Sequence, residues 1–255
     1  MKRLFLVLAL SFSASLPAQA PVAVPLSQEP HHHLVLENDY VRVFRVSVPA
    51  HAATLLHQHD VPYLYISLGP ADVVNAVQGR PEARILMADG QVGYSPGHFA
   101  HIARTDAGST FDNVTIELLR PQGEPKNLCD KIVDGPIKDC SLPRTWPADS
   151  PLRNLAKGGM IPRRAFETAE IEVASYSPSF AGTYNRDSNK SQLVVAESGP
   201  PMHVQVAGEP DRFVKSGEML WIDAGTDWKI VLPSGDTPTR FHVIRFKDTG
   251  AAANP

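Results

Sequence analysis

Short runs of β-branched and aromatic residues, separated by Gly, Pro, Asn and Asp, occupy most of this chain and restrict it to an all-β fold. No segment after the N-terminus keeps the 3.6-residue apolar spacing of a long helix. We therefore expect a sandwich or a barrel. The predicted strands lie near Tyr40–Val48, Tyr63–Leu68, Ala83–Leu86, Gln91–Tyr94, His101–Arg104, Asn113–Leu119, Ile171–Tyr176, Gln192–Ala196, His203–Val206, Met219–Ile222, Lys229–Leu232 and Arg240–Phe246.

The two halves of the chain repeat one another faintly. Val41 and Gly69 are 28 positions apart, as are Ile171 and Gly199, which sets an offset of 130. The offset then falls to 127 over further matching pairs, which are Gly79 with Gly208, Gly90 with Gly217, and Val114–Arg120 with Phe241–Lys247. Repetition at this spacing predicts two copies of one β-module.

Composition limits the partners of the chain. Of 255 residues 43% are hydrophobic, and 24 basic against 27 acidic residues give a net charge of −3 without any basic run. Nucleic acid and anionic membrane surfaces are therefore unsuited as partners. We expect a small-molecule ligand or substrate instead.

The N-terminus resembles a secretory signal. Met1-Lys2-Arg3 precedes an apolar stretch, and Ala18-Gln19-Ala20 ends it with small residues. The stretch is too short to span a bilayer. We expect residues 1–20 to be removed and the protein to be secreted or periplasmic, the alternative being a first helix or a retained anchor.

The chain has two cysteines, Cys129 and Cys140, in a stretch that also contains Pro and Gly. In an exported protein such a pair predicts one disulfide that closes a short loop. The alternative is two free thiols.

The predicted organisation is a signal peptide (1–20), a lead-in (21–34), a first module (35–120), a connector (121–165), a second module (166–248) and a disordered tail (249–255).

His57-Gln58-His59 places two imidazoles on one face of a strand, because side chains alternate along a strand. His31-His32-His33 has the same spacing, and we interpret that triplet as a solvated lead-in to the first strand. A third histidine, His101, follows a Pro-Gly turn and lies on a later predicted strand.

These residues resemble the two sequence motifs of the cupin superfamily. The first motif is Gly, five residues, His-x-His and then Glu; the second is Gly, five residues, Pro-x-Gly-x-x-His and then Asn. His57, His59, Gly90, Pro96 and His101 fall in register with them. The chain departs from the motifs at four positions: His51 replaces the leading Gly, Tyr63 or Leu64 replaces the Glu, Gly97 is one place early and Thr105 replaces the Asn.

The resemblance implies two double-stranded β-helix (jelly-roll) modules and a divalent transition metal held by His57, His59 and His101. Three imidazoles suit Fe, Mn, Zn, Cu or Ni and do not choose among them. Tyr63 is a candidate catalytic phenol or a packing residue of the barrel. Glu117 is a candidate substitute ligand or base, or a residue at a solvated edge. The alternative for the histidines is that they fill or hydrogen-bond a cavity without metal.

In the second module the aligned positions hold Asp187, Asn189 and Trp228, so the three-His set is lost there. The resemblance therefore implies a degenerate cupin module that serves packing, homodimer formation or ligand binding, with Trp221 and Trp228 in its core. Two functions remain open. One is a metal-dependent enzyme of dioxygenase, isomerase or lyase type, and the other is an exported binding or structural bicupin without turnover.

Overall fold

A computed structural model of the protein describes residues 22–106, 108–123, 163–178, 181–184, 189–233, 235 and 237–247. The strands of the first module are β1 (Val24–Pro25), β2 (His32–Glu37), β3 (Val41–Val48), β4 (His57–His59), β5 (Tyr63–Ser67), β6 (Ala71–Val77), β7 (Ala83–Met87), β8 (Val92–Ser95), β9 (Phe99–Arg104) and β10 (Phe111–Leu118). A 3-10 helix (Leu26–Gln28) lies between β1 and β2.

The strands of the second module are β11 (Arg163–Glu167), β12 (Ile171–Tyr176), β13 (Gly182–Tyr184), β14 (Gln192–Ser198), β15 (Met202–Val206), β16 (Arg212–Val214), β17 (Met219–Ile222), β18 (Trp228–Leu232) and β19 (Arg240–Phe246). The predicted cleaved segment (1–20), Cys129, Cys140 and the tail (249–255) lie outside the described residues, as does most of the predicted connector. Among the described residues no helix is long and apolar enough to cross a membrane.

Two sheets form the first module. One has the order β1-β4-β9-β6-β7 and the other β2-β3-β10-β5-β8. Strand β3 explains the arrangement, because Phe44, Val46 and Val48 pack between the two sheets whereas Val41 and Val43 pack on the opposite face. Both faces of β3 therefore contribute to apolar clusters, and Arg42, Arg45 and Ser47 are its partly buried polar positions.

Two further sheets form the second module, in the orders β11-β12-β19-β14-β17 and β13-β18-β15-β16. Its interior is filled by apolar side chains, among them the aromatic residues Tyr176, Tyr184, Trp228 and Phe241. Trp228 is thus a core residue, as predicted. Together the two modules are the all-β, double jelly-roll architecture that the sequence predicts.

The modules pack through their sheets β2-β3-β10-β5-β8 and β11-β12-β19-β14-β17, which share one apolar cluster. A polar contact also crosses this interface: Arg240 of the second module contacts Asp89 of the first at 3.0 Å, and within its own module it contacts Glu197 at 3.3 Å. The buried Glu197 carboxylate also lies 3.0 Å from His242 Nε2. Burial alone would raise the pKa of Glu197, but the contacts with His242 and Arg240 hold it below its usual value.

Substitution of Gly90 tests this interface. Gly90 has φ +70°, and a Cβ there would lie 2.2 Å from the Glu197 carboxyl group. Gly79 has a similar φ of +76° but open space around it, so it is the matched control. We expect Gly79→Ala to cost about 1–2 kcal/mol through backbone strain alone. Gly90→Ala should cost roughly 1–3 kcal/mol more, because Glu197 must leave its partners. Urea unfolding at pH 7 measures the free energy of unfolding of both variants. Equal losses in the two variants would contradict the contact between Gly90 and Glu197.

Candidate metal centre

Two antiparallel strands bring the three predicted histidines together. His57 and His59 are separated by one residue on β4 and share a face, and His101 on β9 pairs directly with His57. One nitrogen from each ring lies within 4.8 Å of the other two. The ring centroids are 4.4 Å apart for His57 and His101, and 5.1 Å apart for each pair that includes His59. The rings therefore converge on one small volume.

Hydrogen bonds to Nδ1 orient two of the three rings. His57 Nδ1 donates to the Leu55 carbonyl at 2.9 Å, and His101 Nδ1 donates to Asn75 Oδ1 at 2.6 Å. Because both partners are acceptors, Nδ1 carries the proton and Nε2 presents a lone pair. His57 Nε2 is buried and has no hydrogen-bond partner among the described residues. His59 Nε2 lies 3.2 Å from His101 Nε2.

Burial keeps these imidazoles neutral. Burial, together with the nearby His32, lowers the pKa of His57 to about 4. Burial, together with His57 and His32, lowers the pKa of His101 to about 3. Burial lowers the pKa of His59 more strongly still. A metal displaces protons from its ligands, so rings that are already neutral at pH 7 bind an ion without that cost. The donor set therefore fits a divalent transition metal, and the identity of the ion is open.

Tyr63, one of the two candidates for the motif position of the missing Glu, contacts His59. The two rings stack with centroids 4.1 Å apart and an interplanar angle of 19°. The hydroxyl group of Tyr63 forms a hydrogen bond with the Ser95 side chain, and burial raises its pKa well above the usual range. Tyr63 also lines the cavity beside the histidines. Its contacts are those of a residue that holds the His59 ring.

The solvated-edge interpretation of Glu117 is wrong. Its side chain is 2% exposed and forms an ion pair with Arg42 at 2.9 Å, on the neighbouring strand. Burial raises the pKa of Glu117, and Arg42 offsets this only in part. Among the described residues the metal-ligand group contains the three histidines and not Glu117. The structure does not bring this carboxylate to the cluster.

The interpretation of His31–His33 as a solvated triplet is also wrong for His32. His32 is buried, and its Nδ1 lies 2.5 Å from Glu29 Oε2. Its ring centroid is 4.8 Å from that of His57. His33 is exposed, as predicted. The i, i+2 spacing of the triplet is the same signal as that of His57-Gln58-His59, but spacing alone does not tell which face of the strand is buried.

A cavity of about 90 Å³ adjoins the three rings. Its polar lining residues include Asn75, Asn113 and Thr115, and none of its described lining residues is Lys, Arg, Asp or Glu. A cavity of about 150 Å³ holds benzene, and this cavity is smaller. The space therefore suits a small ligand. The lining residues are His32, Val46, Val48, Thr54, His57, His59, Tyr63, Tyr65, Val73, Asn75, Ile85, Met87, His101, Ala103, Phe111, Asn113 and Thr115.

The second module has no comparable cluster among its described residues. Of the positions aligned with the ligands, Asn189 is exposed, Trp228 is buried in the core and Asp187 lies outside the described residues. His203 lies 2.7 Å from Asp211 near the surface, and His242 lies at the module interface. The site is therefore confined to the first module within the described chain.

No protein-family model and no curated protein sequence matches this chain. Solved structures of cupin fold do match it. AerE from Microcystis aeruginosa is 9% identical with a TM-score of 0.58, and the match covers 86% of this chain and 99% of AerE. Salicylate 1,2-dioxygenase from Pseudaminobacter salicylatoxidans is 11% identical with a TM-score of 0.54, and the match covers 86% of this chain and 77% of the dioxygenase. The coconut allergen cocosin is 12% identical with a TM-score of 0.51, and the match covers 82% of this chain and 77% of cocosin. At these identities the likeness shows the fold.

The buried histidines predict a loss of stability in acid for the metal-free protein. Unfolded imidazoles titrate near pH 6.5, whereas His57 in the folded chain titrates at about 4. Between these values the unfolded state binds more protons, so the free energy of unfolding falls as the pH falls. We expect a loss of about 2 kcal/mol from His57 between pH 7 and pH 5. Urea unfolding of wild type and His57→Gln at pH 7 and pH 5 measures this loss. If the free energy of unfolding depends on pH equally in both proteins, His57 is not the cause.

Proposed function

We propose that this chain, whose two modules have the cupin fold, is an exported metal-dependent protein that binds or converts a small molecule in its first barrel. His57, His59 and His101 hold one divalent transition metal. The observation that carries the proposal is the convergence of three neutral imidazoles, one of which, His57, has a buried Nε2 without a hydrogen-bond partner among the described residues. Unpaired buried polar atoms are rare in proteins and call for a missing partner.

Three protein ligands suit a reactive ion better than a structural one. Structural zinc sites use four protein ligands, whereas catalytic sites keep a position open for water or substrate. Iron would support oxygen chemistry, as in dioxygenases, and zinc would support lyase, hydrolase or isomerase chemistry through polarisation of a bound carbonyl group. Salicylate 1,2-dioxygenase has a similar fold, and this similarity of fold alone favours oxygen chemistry with iron.

Different backbone and side-chain groups around the histidines orient the rings or line the cavity. Leu55 O and Asn75 Oδ1 fix the tautomers of His57 and His101, and Tyr63 holds the plane of His59. Asn113 and Thr115 offer hydrogen-bonding groups on the cavity wall. The apolar side chains that line the cavity would contact the hydrocarbon part of a ligand. Of the two candidate catalytic residues, Tyr63 contacts the ligand His59, whereas Glu117 is paired with Arg42.

A second candidate is a binding protein that carries no metal. The observation in its favour is the 3.2 Å separation of His59 Nε2 and His101 Nε2, because one proton can bridge two imidazoles at that distance. In that case the cavity would bind a small, mostly apolar ligand without turnover. Metal content separates the two functions.

Metal analysis tests the main proposal. Protein purified without added ions should contain about one transition-metal ion per chain, since three imidazoles compete well for such ions. His57→Ala and His101→Ala should lose most of that metal. His33→Ala is the matched control, because His33 is exposed on a neighbouring segment, and should keep it. A trace of metal that His57→Ala leaves unchanged contradicts the proposal and favours the metal-free binding protein.

Export and the disulfide are tested together. We expect the protein recovered from the periplasm or the medium to have a mass that lacks residues 1–20. A thiol-alkylating reagent should label Cys129 and Cys140 only after reduction, because the pair is oxidised outside the cytoplasm. A full-length protein in the cytoplasm contradicts export, and labelling without reduction contradicts the disulfide.

A further inference from the structure

The segment before β2 lies against the proposed metal centre, although it is outside the two cupin motifs. Strand β1 pairs in parallel with β4, with Val24 beside His57, and the Val24 amide donates to the Leu56 carbonyl at 2.9 Å. Leu26, in the 3-10 helix that follows, is buried in the core between the two sheets. This anchoring brings Glu29 to the back of the histidine cluster.

Glu29 is a buried carboxylate with both oxygens in use. Its side chain is fully buried, Oε1 accepts the Leu55 amide at 3.1 Å, and Oε2 accepts the His31 amide at 2.9 Å and His32 Nδ1 at 2.5 Å. Burial alone would raise the pKa of Glu29, but these hydrogen bonds and the nearby His32 lower it below the usual value. A buried charge with this many donors is fixed in place.

The contacts of Glu29 lead to His57 by two routes. Through the backbone, Glu29 holds the Leu55 amide, and the carbonyl of the same residue accepts the proton of His57 Nδ1. Through the side chain, Glu29 holds His32, whose ring packs 4.8 Å from His57 at an angle of 53°. One carboxylate therefore fixes both the hydrogen bond and one ring contact of a proposed ligand.

We propose that Glu29 is a positioning residue of the metal centre: it sets the orientation of His57 through Leu55 and through His32. This inference rests on the proposed function. Groups that orient metal-bound histidines from outside the ligand shell commonly change metal affinity by 10–100-fold when they are mutated. Glu29 would act in this way although it precedes the first motif by more than one strand.

Cobalt binding to Glu29→Gln tests the proposal. Only one terminal atom of Gln accepts a hydrogen bond, so in either orientation its amide group faces a donor, the Leu55 amide or the pair from His31 and His32. We expect a loss of Co²⁺ affinity of roughly 10–100-fold in chelator competition, and a change in the Co²⁺ absorption spectrum because His57 is reoriented. Glu37→Gln, an exposed carboxylate on β2, is the matched control and should match wild type.

Each outcome has one meaning. A folded Glu29→Gln with wild-type affinity and spectrum overturns the role of Glu29. If Glu29→Gln does not fold, His32→Asn tests the route through the side chain, since Asn can still donate to Glu29 but removes the ring from His57. Weakened binding with an altered spectrum supports this route, and unchanged binding overturns it. Wild-type protein that binds no Co²⁺ contradicts the proposed function itself, whereas wild-type binding with unchanged variants contradicts only the inference about Glu29.

Discussion

The antiparallel pairing of β4 with β9 is the constraint on which the site depends. It sets His57 opposite His101, and strand alternation adds His59 on the same face. The surrounding barrel then removes water from the rings and keeps them neutral. A shift of one residue in this register would turn His101 to the other face and dissolve the cluster.

The two modules have one fold and two kinds of interior. In the first, small and polar residues such as Asn75, Thr115 and Ala103 leave space beside the histidines. In the second, Tyr184, Trp228 and their neighbours fill the barrel. The second module also covers the outer face of the sheet β2-β3-β10-β5-β8, whose apolar residues would otherwise face water. The second module, which lacks the three-His set among its described residues, therefore has a structural role: it buries the outer face of the first module.

Most strands could be predicted from the sequence because they depend on local spacing, although β6 was missed. The three-His set came from the resemblance to the cupin motifs, because His101 lies 42 residues beyond His59 and local spacing does not join them. The environment of His32 could not, since the spacing in His31–His33 does not reveal that Glu29 turns one ring inward. The partner of Glu117 depends on the register between β10 and β3, which joins residues 75 positions apart and leaves no local signal. The motifs left Tyr63 and Leu64 open for the position of the missing Glu, and they could not show that Tyr63 stacks on His59.

Crystallography of zinc-loaded protein, with anomalous scattering at the zinc edge, tests whether three Nε2 atoms share one ion. We expect one peak at roughly 2.0–2.1 Å from Nε2 of His57, His59 and His101, with both Nδ1 hydrogen bonds kept. A peak at another place, ligation through Nδ1 of His57, or an empty cluster in protein that holds zinc elsewhere would contradict this expectation.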